Sequence, residues 1–457
     1  MIFGDIRHID LSTSSFERMI TENCLYVDKT RMIENFLTTK SDVQLITRHR
    51  RLGKSLNMDM LRCFLTDKQD CRPLFKGMYI EKSPVWEKAH SAPVFVFDFK
   101  ELTSKDYEKQ IKNQTIKNLF TLGNPKEFSG FAKYCSDGLF DDSVPSVNYL
   151  QKLTEIAHEI TGKRAYILID EYDNLLMKIV AHEKYDEIRN FFTNLFSAAV
   201  KGNLHLEKAL ITGVMRISHE SLFSGLNNIV NFDMFNDDVF TNDYGLTEDE
   251  AKTLCTMAQA DLAKLKAWYN GVKINGEEIF NTYSTMSYFD SGRFDCYWGR
   301  SGTLDMIVDL LNNDRRQTIE KLLNSEAVEK VVEKRISLKQ LLIDNSDEAF
   351  YSLLVQAGYL AAEIMDSARD TAILTIPNTE LKLVWKKFIL STYYPSSTRL
   401  RTLFDNEHDP EKFADDIQDF LTDSLSYHDL AVQKGETKSK VHETLYHVFI
   451  LGILSAY

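Results

Sequence analysis

The 457-residue sequence has no apolar run of about 18 residues free of charge, so no segment reads as a membrane-spanning helix. Its opening stretch, Met1 to Leu11, carries early acids and lacks the apolar core of roughly 7–15 residues that a secretory leader needs. A soluble, cytoplasmic protein with no membrane partner is expected. The six cysteines (Cys24, Cys63, Cys71, Cys135, Cys255, Cys296) are far apart and form no C-x-x-C pair. This excludes a disulfide framework and a cysteine-built zinc site, and the residues read as reduced structural thiols. Proline is scarce at 8 residues and glycine at 19, and no repeat or low-complexity tract interrupts the chain, so long disordered tails are not expected. Positive charge is in deficit: 54 Lys and Arg against 67 Asp and Glu leave a net charge of −13. That balance excludes binding of nucleic acid or an anionic membrane over the whole surface, and any polyanion site must be local.

What is there is a globular composition, 44% hydrophobic and 26% charged, in a chain long enough for about three domains. Four short runs are near-continuously apolar, as strands buried on both faces must be: Val43–Thr47, Val94–Asp98, Ala165–Asp170 and Ala209–Thr212. Between them lie residues at helical spacing: Leu56, Met60, Leu61, Phe64 and Leu65, then Leu150, Leu153, Ile156, Ala157 and Ile160 before a stop at Gly162, then Ile188 to Phe196 with a stop near Gly202. The alternation predicts an α/β fold with a parallel sheet covered by helices on both faces over residues 15–240. Past residue 240 the pattern becomes mainly helical. Thr247-x-x-Glu250 is a capping box that predicts a helix to about Leu265. Residues 337–393 read as two helices, two short strands (Tyr359–Ile364 and Thr371–Ile376) and another helix, the order of a winged-helix-like unit.

The chemistry concentrates at strand ends. Val43 to Met58 contains four Lys or Arg and no acid. Within it, Ile46-Thr47-Arg48-His49-Arg50-Arg51-Leu52-Gly53-Lys54-Ser55 follows a strand and opens a helix, the context of a phosphate-binding loop. Amides at a helix start attract an anion, the Lys54 ammonium can reach β- and γ-phosphates, and the Ser55 hydroxyl can ligate Mg²⁺. Arg48 stands where the standard spacing has glycine, and a basic turn that merely ends in Gly-Lys-Ser is the alternative. A second signal is Tyr166–Asp170 followed by Glu171. It puts Asp170 where it can hold Mg²⁺ and Glu171 where it can polarise a water as general base. Capping of the next helix is the alternative for both, and Asp173 reads as a helix-start acid or as a residue that supports the site from behind. Third, Thr212 at the next strand end would align the water and Arg216 would read the γ-phosphate. The alternatives there are a plain strand terminus and a surface ion pair. Ser218-His219-Glu220 cannot form a relay from three consecutive positions. Asp98-Phe99-Lys100 and Glu380-Leu381-Lys382 match half of a nuclease motif but lack its partner acid.

The ordered set of motifs resembles the bacterial AAA-ATPase-like family of P-loop proteins. It comprises Tyr26–Thr30, Thr47-Arg48-x-Arg50-Arg51-x-Gly53-Lys54-Ser55, Ile169–Asp173, Thr212-Gly213-x-x-Arg216-Ile217-Ser218, Leu222–Asn228, Trp268–Gly271 and Ile376-Pro377-Asn378-x-Glu380. In that family an arginine commonly replaces the first loop glycine; His49 and Leu52 depart from its usual Pro and Phe. The resemblance implies a P-loop ATPase core at residues 1–240, a helical lid region at 241–336, a winged-helix-like unit at 337–400 and a connector at 401–440. It also implies, at 441–457, the first helix of an incomplete PD-(D/E)xK nuclease-like domain. Glu443 would match the helix glutamate of such nucleases, and with the downstream Asp and E-x-K strand absent no nuclease activity is expected.

The implied cofactors are ATP and Mg²⁺. Arg48, Arg50, Arg51, Gly53, Lys54 and Ser55 would hold the nucleotide, Ser55 and Asp170 the metal, and Glu171, Lys54, Arg216 and Thr212 would carry catalysis. The expected function is a switch ATPase acting on a C-terminal effector domain or protein, with oligomers expected if the arginine comes from a neighbour. The competing expectation is a DNA-associated scaffold with nucleotide as structural ligand. A third is a regulatory partner protein held together by protein contacts.

Overall fold

The computed structural model describes residues 1–123, 144–179, 182–217, 222–223, 226, 228–298, 307, 310–366 and 369–393. The connector expected at 401–440, the nuclease-like helix at 441–457 with Glu443, and Ser218 to Glu220 lie outside them. The chain forms two units, Met1–Val384 and Trp385–Tyr457; of the second, the described residues 385–393 are helical.

The first unit opens with β1 (Ile2–Phe3), α1 (Phe16–Thr21), β2 (Tyr26–Val27) and α2 (Arg31–Thr38). There follow β3 (Val43–Thr47), α3 (Lys54–Leu65), β4 (Val94–Asp98), α4 (Tyr107–Leu119), α5 (Tyr149–Thr161), β5 (Ala165–Asp170), α6 (Asn174–Ile179), α7 (Tyr185–Val200), β6 (Leu206–Gly213) and β7 (Ile229–Phe232). Strands β4-β5-β6-β3-β7, in that order, make a five-stranded parallel sheet. Every residue of β3 and β5 is buried, which is why both runs are apolar without alternation. The four expected strands stand where their apolar runs are. The fifth, β7, is an edge strand with only Phe232 buried, so its sequence carries no such run.

Register brings the chemical residues to one edge. Asp98 pairs with Asp170, Ile46 with Thr212 and Thr47 with Gly213, so the carboxyl ends of four strands converge, the place where open α/β sheets bind ligands. One face of the sheet carries an aromatic stack of Phe99, Phe192, Phe196 and Phe223 with ring centroids 5.4–5.9 Å apart along the series. The other packs Ile46, Met60, Phe64, Tyr166, Leu168 and Leu210 with the N-terminal helices. Helix α5 stops at Gly162, whose φ of 68° gives the left-handed cap that its position predicts. The outer edge of β4 is closed by side chains of α4. Asn118 accepts from Val96 N (3.0 Å) and donates to its carbonyl (2.8 Å), and Gln114 does the same for Asp98 (2.8 and 2.7 Å).

Beyond β7 come α8 (Glu248–Ala258), α9 (Leu262–Tyr269), β8 (Val272–Ile274), β9 (Glu277–Ile279), α10 (Thr282–Ser291), α11 (Asn313–Leu323), β10 (Val328–Val331), α12 (Leu338–Leu342), α13 (Asp347–Ala357), β11 (Ala361–Asp366), β12 (Thr371–Thr375) and α14 (Thr379–Tyr393). The capping box forms as read: Thr247 accepts from Glu250 N, and the Glu250 carboxylate accepts from Thr247 N. The single helix expected to Leu265 is two, because Gln259 takes a φ of 54° and Asp261 caps a new helix. The region is mainly helical, and it also carries a β8–β9 hairpin and an antiparallel sheet β10-β12-β11. Strand β10 was illegible because Val-Glu-Lys-Val is four residues of half-exposed character after a helix.

Two motifs of unassigned role meet as a joint here. Asn378 Nδ2 donates to Asn270 O at 2.8 Å, and Gly271, at φ 96°, approaches Pro377 so closely that a Cβ would lie 2.5 Å from its carbonyl oxygen. Glu380 is buried, and its Oε1 accepts from Ser284 Oγ (3.0 Å), Tyr297 N and Trp298 N (both 2.7 Å). Among the described residues no helix is long and apolar enough to cross a membrane.

Candidate phosphate-binding site

The loop between β3 and α3 is shaped by two left-handed residues, Arg51 (φ 66°) and Gly53 (φ 86°), the second immediately before the helix. A Cβ at Gly53 would meet nothing within 4 Å, so it is the backbone angle that calls for glycine. Lys54 folds back over the loop, its Nζ donating to Arg48 O (3.0 Å) and His49 O (2.9 Å). Burial pushes the Lys54 pKa down, and the neighbouring Asp170, Asp173 and Glu171 act the other way. The loop is tied outside as well. Leu52 O accepts from Gly245 N, Arg51 O accepts from Tyr283 N at 3.3 Å, and the Arg51 guanidinium stacks 3.8 Å from the Tyr283 ring centroid.

Asp170 is the node of the site. Ser55 Oγ donates to its Oδ2 at 2.5 Å, while Thr212 Oγ1 and Glu171 N donate to its Oδ1. Glu171 takes a φ of 53°, a strained angle for a non-glycine residue of the kind found at functional sites. Burial raises its pKa, and the adjacent Asp170 adds to the rise. Tyr172 and Asp173 complete the strand end by gripping the segment after β6. Asp173 Oδ2 accepts from Val214 N (2.9 Å) and Met215 N (2.7 Å), and Tyr172 Oη donates to Met215 O (2.7 Å) and accepts from Ile217 N (3.3 Å). Asp173 is therefore a brace and not only a helix-start acid.

A cavity of about 1250 Å³ opens at this edge, with Arg50, Arg51, Gly53, Lys54, Ser55, Asp170 and Glu171 on its wall. Of the residues expected to act on phosphate, three are elsewhere. The Arg48 guanidinium is fully buried behind the loop, paired with Asp237 and donating to Thr47 O (2.8 Å) and Phe232 O (3.1 Å), and its amide serves Gly213 O. Arg216 is paired with Asp233 at 2.6 Å. Thr212 is buried and donates its hydroxyl to Asp170, so it stands behind that carboxylate. None of the three lines the cavity. Both arginines are thus held by one turn after β7: Asp233 Oδ1 also accepts from Phe235 N and Asn236 N, and Asp237 Oδ1 from Val239 N and Phe240 N. Sequence reasoning missed Asp233 and Asp237, which bear only the signal of acids after a strand, and Tyr283, which sits in no motif. The oxygens of Ser55 and Asp170, in contact on the cavity wall, form a hard donor pair that suits Mg²⁺.

The model of the AAA-ATPase_like family, described as "Predicted AAA-ATPase", matches residues 10–223. Those residues are similar to the AAA-ATPase-like family. The AAA-ATPase-like segment holds the loop, Asp170, Glu171, Thr212 and Arg216. A protein of Azotobacter chroococcum mcd 1, described as an uncharacterized protein in the vnfD 5′ region, is 29% identical over 377 residues, which cover 81% of this chain and 67% of that protein. The Walker-type ATPase PABY2304 of Pyrococcus abyssi overlays 78% of this chain and 94% of its own at 14% identity and a TM-score of 0.36. The Aeropyrum pernix ORC1 protein, solved in complex with DNA, overlays 81% and 93% at 11% identity and a TM-score of 0.25.

Proposed function

We propose that this protein is a Mg²⁺-dependent ATP-binding and ATP-hydrolysing switch whose nucleotide state acts on a C-terminal effector. The observation that carries the reading is the Ser55–Asp170 contact at the foot of the Lys54 loop, with the strained Glu171 beside it on the same cavity wall. Lys54, Arg50 and Arg51 bind phosphate oxygens there, and Lys54 exchanges two loop carbonyls for a charged partner. Ser55 and Asp170 hold Mg²⁺, which when bound neutralises phosphate charge. Glu171 orients the attacking water and takes its proton, a role that suits a carboxylate whose pKa burial has raised. Thr212 acts through Asp170. Arg216 serves as sensor only if it leaves Asp233, which makes that pair the switch contact.

Duplex DNA as a partner is disfavoured by charge: the β11–β12 hairpin carries Glu363, Asp366 and Asp370 against Arg369 alone. The test is titration with ATP and Mg²⁺. Lys54→Ala is expected to bind at least about tenfold more weakly, the scale of one charge-assisted hydrogen bond. Glu171→Gln is expected to bind normally and turn over about 10²-fold more slowly. Equal ATP affinity in wild type and Lys54→Ala sinks the reading.

A further inference from the structure

The last turn of α13 touches both arms of the site. Gly358 caps the helix at φ 88°, and a Cβ there would lie 2.7 Å from His49 Nδ1 and 2.9 Å from its Cγ. The His49 ring therefore rests directly against the Gly358 backbone, and the space between them admits no methyl group. His49 is 3% exposed, and its carbonyl is one of the two that hold Lys54. Burial, reinforced by Lys54 and Arg48, holds its pKa at about 3. The ring is a neutral wedge.

Two residues earlier, Gln356 Oε1 accepts the N–H of Arg216 at 3.0 Å. Its other end points into the chain before α12, with Nε2 3.3 Å from Glu333 O and 3.4 Å from Lys334 O. Ile336 N donates to Arg216 O at 3.2 Å, and Ile217 and Ile336 form a parallel bridge. The segment 214–217 is thus held by Asp173 and Tyr172 on one side and by Gln356 and Ile336 on the other. Of these holds, the first pair belongs to the sheet and the second to the 328–375 region. Packed interfaces of this kind are bistable and do not deform continuously, so a shift of the α13 turn must move the loop, the Arg216 segment, or both.

We propose that the Val355–Gly358 turn positions the nucleotide site. Gly358 sets the seat of His49 and so the carbonyls that Lys54 uses, while Gln356 sets the backbone of Arg216. The 328–375 region and the phosphate loop consequently change state together. This rests on the nucleotide-binding reading and adds to it the residues through which the coupling runs. Because coupling is reciprocal, ATP must tighten the region as much as the region tightens ATP binding.

The experiment compares ATP affinity and thermal stability in full-length variants. Gly358→Ala is expected to weaken ATP binding about tenfold, the scale of overpacking by one methyl group. Gly162→Ala is the control: it caps α5 at φ 68°, with nothing within 4 Å of an added Cβ, and shares the backbone strain without the clash. It is expected to bind ATP as wild type does. Adding His49→Ala to Gly358→Ala removes the ring and is expected to restore most of the affinity. Hydrogen exchange gives the second measurement: ATP is expected to slow exchange at the Arg216 and Ile336 amides in wild type and not in His49→Ala. Unchanged ATP affinity in Gly358→Ala, or a loss that His49→Ala leaves unrepaired in a folded protein, overturns the proposal. If Gly358→Ala does not fold, equal ATP-dependent protection in wild type and His49→Ala overturns it. Failure of wild type itself to bind ATP refutes the nucleotide reading, and the positioning role with it, and is separately visible in the Lys54→Ala comparison.

Discussion

Replacing Asp237 by asparagine removes one charge from a pair whose side chains are both fully buried, and leaves the rest of the turn in place. The remaining Asn oxygen can still accept from Val239 N and Phe240 N, which Asp237 Oδ1 does now at 2.9 and 2.7 Å. What is left uncompensated is the Arg48 guanidinium, with two carbonyls and the Tyr244 ring face 5.4 Å away as its surroundings. Breaking a buried pair in this way costs about 3–5 kcal/mol, a large part of the ~5–15 kcal/mol by which proteins are stable. An unfolding entropy of roughly 2.1 cal/mol/K per residue gives a unit spanning Met1–Val384 about 1.2 °C per kcal/mol, so Tm should fall by about 4–6 °C. Adding Arg48→Met removes the stranded cation, and most of the loss should return. The same double variant decides where Arg48 works. If the arginine is architectural, Arg48→Met with Asp237→Asn binds ATP within about threefold of wild type, a difference under 1 kcal/mol. Urea and thermal melts read the first effect and an ATP titration the second. A Tm change below one or two degrees in Asp237→Asn, or a folded double variant that no longer binds ATP, would refute the reasoning.

Glu380 offers a pH test. Burial pushes its carboxyl up to about 7 from an ordinary 4.5, against the three donors on its Oε1. Between those values the native state keeps a proton that the unfolded chain has released, so its contribution to stability falls as pH rises and is lowest above 7. Glu380→Gln keeps the acceptor and removes the charge. It should match wild type near pH 4 and be more stable at pH 8 by about 1–3 kcal/mol; parallel stability profiles from pH 4 to 8 would contradict this. Gly213→Ala should destabilise by about 1–3 kcal/mol, because its Cβ would lie 2.5 Å from the Tyr172 ring and 2.8 Å from Asp173 Oδ1. A melt indistinguishable from wild type would show that the Tyr172–Asp173 grip is loose.

The sheet was legible because burial on both faces leaves a one-sided record: Val43–Thr47 and Ala165–Asp170 have no polar alternation to confuse with a helix. The Gly-Lys-Ser loop and the Asp170–Glu171 strand end were legible for the same local reason. The arginines were not. Arg48 and Arg216 look alike in sequence to phosphate-reading residues, and what removes them from the cavity is the pair Asp237 and Asp233, far along the chain. Tyr172 and Asp173 sat inside a recognised motif, yet their partners are backbone amides and carbonyls of 214–217, groups every residue possesses. The break at Gln259 was hidden for a different reason. Its left-handed angle is set by Asp261 starting a new helix, and glutamine itself carries no stop signal.

The two amides of α4 that close β4 tie the order of assembly to the helix. Until α4 docks, Val96 and Asp98 present a ready strand edge to any neighbouring chain, and afterwards that edge is spent on Asn118 and Gln114. Among the described residues the sheet therefore finishes at β4 without a sixth strand. The same closure bars this side of the protein from stacking sheets edge to edge, so self-association through a continuous sheet across β4 is blocked by two hydrogen-bonding side chains and needs no charge to prevent it.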